Sequence, residues 1–139
     1  MSMAMRDFEG VRAAIAAHYV LSTSEPFLLS FDVQMPARQR SQSMFMAELE
    51  TEGGAPVLRL STPIARLSRV NAERCLRFNW AQRSGFLAVG ELDEVEYLHL
   101  CENRTYNSLE QHEILALVSD MASLADQLEA AFSAGRDLT

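Results

Sequence analysis

The sequence has no lysine: all twelve of its Lys and Arg side chains are arginines. An absence so complete cannot serve one site, and it reads as the codon bias of a GC-rich genome. Two cysteines are too few for a disulfide framework, and no apolar run approaches the ~20 residues that span a bilayer. Nothing near the first residues resembles a basic segment followed by an apolar core and a cleavage site, so a reducing cytoplasm is the expected compartment. Phosphate-binding, dinucleotide-binding, metalloprotease and nucleophile-elbow motifs are all missing; Gly53 and Gly54 by themselves make a loop.

What is present fits one folded domain covering residues 1–139, with 48% hydrophobic and 22% charged residues. The net charge of −7 is unevenly spread. Residues 38–83 hold eight arginines against four glutamates, whereas residues 84–139 hold two arginines against eleven acids. An acidic chain repels a phosphate backbone over roughly a Debye length, about 8 Å at physiological salt, so nucleic acid is not the expected partner.

Periodicity sets the element order. Met5, Phe8, Val11, Ile15 and Tyr19 recur at spacings of three and four, predicting an amphipathic helix over 3–21 with Arg6, Glu9 and Arg12 outward and "STSEP" ending it. Strands are predicted for "FLLSFDVQM", closed by Pro36, for "SMFMAELE" and for "PVLRLSTPI". "SRVNAERCLRFNW" changes to a helical period, with Asn71 or Ser68 as its cap. "FLAVGELDEVEYLHLCEN" reads as a hairpin whose acidic loop, Gly90 to Glu94, exceeds two residues. A final helix opens on a capping box, Ser108 with Gln111, buries Ile114, Leu117, Val118, Met121, Leu124 or Ala125, Leu128 and Phe132, and stops at Gly135. The expected fold class is α+β, in the order α-β-β-β-α-β-β-α, with an antiparallel five-stranded sheet packed with helices.

Reactive constellations are sparse. His99 and Cys101 share a strand face, but same-face neighbours stand well apart and no third residue is placed to orient them; a free cysteine is ordinarily a small core hydrophobe. Cys75, His99, Cys101 and His112 lack the close pairing of zinc ligands. Glu91, Asp93, Glu94 and Glu96 suit a solvated turn that keeps a sheet edge from aggregating. Arg74, Arg77 and Arg83 around Phe78 and Trp80 read as arginines extending from a helix rather than as a base-stacking platform. No catalytic residue, metal or cofactor is assigned, and the chain is not expected to be an enzyme.

The remaining signal is apolar surplus. Three helices cover only part of a five-stranded sheet, and its first strands are rich in phenylalanine and methionine, residue types enriched at protein interfaces. Phe27, Leu29, Phe31, Phe45 and Met46 are accordingly expected to bind an extended segment of a partner protein, with help from the first helix. Cys75, Leu76, Phe78 and Trp80 are expected to build a homodimer seam, with Cys75 and Leu76 buried and Trp80 anchoring the helix-to-strand joint.

The order of elements and the closing acidic helix resemble class I type III secretion chaperones. "LSRVNAERCLRFNWAQRSGFLAVGELDEVEYLHLCEN" and the later "LADQLEAAF" resemble the YbjN-type family of bacterial sensory transduction regulators, which shares that fold. Asn79 and Trp80 match the family's "N-W", and Ala125, Asp126 and Leu128 its "A-D-x-L". "RDFEGVRAAIAAHYV" lacks the leucine-glycine-rich opening of secretion chaperones. The resemblance implies a homodimer without cofactor that grips a partner polypeptide. The alternative is a small-molecule-responsive regulator with a pocket near Trp80.

Overall fold

A computed structural model describes residues 6–35 and 40–134. It has three helices on one side of a six-stranded antiparallel sheet: α1 Phe8–Ala16, β1 Leu21–Glu25, β2 Leu28–Met35, β3 Arg40–Leu49, β4 Val57–Arg66, α2 Ala72–Ala81, β5 Phe86–Leu92, β6 Val95–Thr105 and α3 Gln111–Ala134. The strands lie in the order β1-β2-β3-β4-β6-β5. The α+β class is as expected, but there is one strand more than the sequence suggested.

The extra strand comes from the segment assigned to ending the first helix. Asp7 caps α1 by accepting the Gly10 N–H at 2.9 Å, and Phe8, Val11, Ala14 and Ile15 are buried. The helix closes early because the His18 N–H turns back to the Ile15 carbonyl, freeing Tyr19 to pack its ring 4.7 Å from that of Phe31. "LSTSE" then pairs with β2, Glu25 opposite Leu28, across a Pro26-Phe27 turn. Proline presets φ near −65° for such a turn, and β-branched Thr23 tolerates the extended backbone. Arg12 ties the hairpin to α1 through Ser24 Oγ and the Glu25 carbonyl.

The other boundaries follow local chemistry. Pro63 lies in β4 beyond the last β3 pairing and beside a bulge facing β6, where a missing N–H is tolerated. Asn71 caps α2 by accepting the Arg74 N–H at 3.1 Å. The β5–β6 turn is shorter than expected: only Asp93 and Glu94 lie between the strands, at φ 51° and 67°. That is the two-residue primed turn matching strand twist, and Gly90 is inside β5 instead. The box before α3 also differs, because Glu113, not Gln111, reaches back, to the Glu110 N–H, while Ser108 bonds the Thr105 carbonyl. Pro36, Met5 and Gly135 lie outside the described residues.

The 24 residues of α3 span about 36 Å and lie across β2, β3 and β4. Ile114, Leu117, Val118, Met121, Ala125 and Leu128 form its buried stripe, Ala125 taking the place shared in expectation with Leu124. A polar seam fixes the end of the helix on the sheet: Arg40 of β3 pairs with Asp126 and Glu129, and buried Gln42 donates to Thr62 Oγ1 at 2.7 Å. Among the described residues no helix is long and apolar enough to cross a membrane.

Candidate functional site

Helix α2 has two apolar faces. Cys75 and Phe78 point into the common core, whereas Glu73, Leu76, Arg77, Trp80 and Ala81, spaced three and four apart, form the outward stripe. Leu76 is 68% and Trp80 93% exposed, and these residues line a shallow cavity of ≈ 520 Å³. Four residues expected to act together are therefore divided. Leu76 is not buried, Trp80 does not anchor the joint, and Cys75 and Phe78 are unavailable to a second chain because β5 and β6 need them for their own core.

The joint is held by Asn79. Its Oδ1 accepts the Leu87 N–H at 2.7 Å and its Nδ2 donates to the Leu87 carbonyl at 3.0 Å. One amide side chain thus replaces a neighbouring strand at the exposed edge of β5. Such an edge otherwise leaves peptide groups free to recruit another chain. The spacing of apolar residues could not reveal this role; an amide next to the only tryptophan, facing a strand edge, was the available signal.

The second surface is the sheet face that none of the three described helices covers. Register aligns Ser30, Phe45, Ser61, Cys101 and Phe86 in one row across five strands, and Leu28, Ala47, Arg59 and Asn103 in the next. The face is flat: small residues separate two half-buried phenylalanines, and Arg59 donates to Asn103 Oδ1 at 2.9 Å. Phe45 stands here, and Phe27, 63% exposed, projects from the β1–β2 turn. Leu29, Phe31 and Met46 do not; they alternate to the opposite face, sealed beneath the helices at 0–1% exposure, and are core rather than docking residues.

A depression of ≈ 200 Å³ on the open face contains Arg59, Ser61, Ala88, His99 and Cys101. The His99 ring lies over Gly90, with Nε2 3.0 Å from the Gly90 carbonyl, and a Cβ on Gly90 would come within 3.1 Å of the ring. Its Nδ1 is buried with no hydrogen-bond partner among the described residues. Burial lowers the His99 pKa against the opposing pull of that carbonyl, so the neutral ring donates from Nε2. Burial also raises Cys75 and, despite nearby Arg59, Cys101, which keeps both thiols protonated. The Cys101 Sγ approaches the His99 carbonyl, not its ring. The helix side of the sheet separates Cys75 from His99 and Cys101, and His112 is exposed at the start of α3, so the four side chains weighed as zinc ligands are not gathered.

Comparison with family models, with curated proteins and with solved structures finds no match.

Proposed function

We propose that this chain is a non-enzymatic, chaperone-like protein-binding module, a homodimer that holds an extended segment of a partner protein in the cytoplasm. The observation carrying the proposal is the helix-free sheet face, where Phe45 and Phe86 stand on a floor of small residues with Phe27 at one end. An extended segment can seat alternate side chains on such a floor and bond its backbone at a free edge. Support also comes from the element order, which keeps the α-β-β-β-α-β-β-α succession of type III secretion chaperones with β1 added after α1.

The dimer uses the outward stripe of α2. Antiparallel packing of two such helices sets Leu76 of one copy against Trp80 of the other and brings Glu73 toward the facing Arg77 and Arg83. Sedimentation velocity tests this: wild type should run as a dimer, and Leu76→Ser with Trp80→Ser as a folded monomer. A wild-type monomer at working concentration overturns it. Pull-down from the native host should recover one recurrent protein, lost with Phe45→Ser and Phe86→Ser while the dimer persists.

The cavity around Leu76 and Trp80 favours a second reading, a regulator that binds a small molecule there. A thermal-shift response to a compound library without any protein partner, abolished by Trp80→Ala, would select it.

A further inference from the structure

A larger cavity, of ≈ 660 Å³, lies where β4 leaves the sheet beneath the end of α3. Ile64, Ala65, Arg66 and Arg69 form one wall and Glu129, Phe132 and Ser133 the other. Its size is within the range of small-molecule sites. Arg66 ends β4 as the extended cap of the 3₁₀ turn Leu67–Arg69, and Arg69 closes that turn, so one short connection brings both arginines to the cavity lining.

The charges are unusual for so acidic a chain. Arg66 and Arg69 have no ion-pair partner among the described residues. Glu129, the one acid in the lining, is already committed inward: Arg40 lies 2.8 Å from Oε2, and Gln42 donates to Oε1 at 3.3 Å. Among the described residues, Arg40, Arg66 and Arg69 with Asp126 and Glu129 sum to one positive charge. A monoanion balances it; a dianionic phosphate does not.

We propose that this cavity binds a small organic carboxylate with an apolar body, its carboxylate gripped by Arg66 and Arg69 and its apolar end lying against Ile64 and Phe132. The planar fork of arginine matches a carboxylate with paired hydrogen bonds, and Ile64 and Phe132 in the same lining offer apolar contact to the rest of the ligand. The cavity shares no residue with the α2 stripe or the open sheet face, so the inference stands apart from the dimer and from the partner protein.

The test is an amide NMR titration of the full chain with octanoate, 1-octanol and inorganic phosphate in parallel. Octanoate should produce saturable shifts centred on residues 64–69 and 129–133, with 1-octanol and phosphate each weaker by roughly tenfold or more. Arg66→Gln with Arg69→Gln should weaken octanoate by a similar factor while leaving the melting temperature unchanged, because both side chains are exposed. Phe132→Leu, which keeps the apolar wall, should retain binding within a few-fold. Equal binding of 1-octanol or phosphate, shifts centred on Leu76 and Trp80, an unaffected arginine double variant, or no saturable shift would each overturn the proposal.

Discussion

The two faces of the sheet are built from the same strands and obey opposite rules. Under the helices, Leu29, Phe31, Met44, Met46, Leu58, Leu60 and Leu100 are sealed into one cluster. On the open side the intervening residues are serine, alanine, arginine, histidine and cysteine, broken by Phe45 and Phe86. A one-residue step along any strand crosses from a core to an outer surface, so neighbouring phenylalanines differ in role according to parity, not hydrophobicity.

The widest difference should appear on truncating one residue from each face. Leu100→Ala leaves a cavity at a fully buried site and should cost about 2–5 kcal/mol in urea unfolding. Phe45→Ala should cost less, about 1–2 kcal/mol, since that ring is only partly buried. Similar losses would mean that the open face is covered after all.

Asn79→Ala should come next. It strips the edge of β5 of both partners to Leu87, and leaving such groups unpaired costs about 1–3 kcal/mol. Hydrogen exchange should accelerate at Leu87 more than at Leu58 or Leu60 in the sheet interior.

His99 gives the open face a pH dependence of its own. Its folded pKa is lowered, so the unfolded chain takes up the proton first. The stability contributed by the neutral ring is therefore complete above the ordinary histidine value of about 6.5 and is lost as pH falls through that value toward the lower folded one. The slope of urea midpoint against pH over this window should flatten in His99→Asn.

The smallest effect is expected at the Asp93-Glu94 turn. Glu94 has φ 67°, a conformation glycine adopts without penalty, so Glu94→Gly should stabilise the hairpin by about 0.5–1 kcal/mol. A lower melting temperature would mean that the glutamate has a contact of its own.

Helical spacing located α2 and the buried stripe of α3, alternation located β2 and β4, and apolar runs bounded by turn residues located β3, β5 and β6. β1 was illegible: "LSTSE" is polar on both sides, and what makes it a strand is a neighbour two residues away across Pro26. At the candidate site, residue type grouped Phe27 and Phe45 with Leu29, Phe31 and Met46, since nothing local states which face the helices choose. Leu76 and Trp80 were marked out by residue type, but their exposure depended on Asn79 turning α2 onto the β5 edge.

That orientation gives the molecule a built-in optical reporter. Trp80 is the chain's only tryptophan, and in a single copy it is 93% exposed, so a separated monomer should emit much as an unfolded chain does. Loss of the core in such a monomer should barely change the fluorescence, whereas a surface laid over α2, the second copy included, should shift it to the blue. Intrinsic fluorescence thus gauges what α2 meets rather than the state of the core.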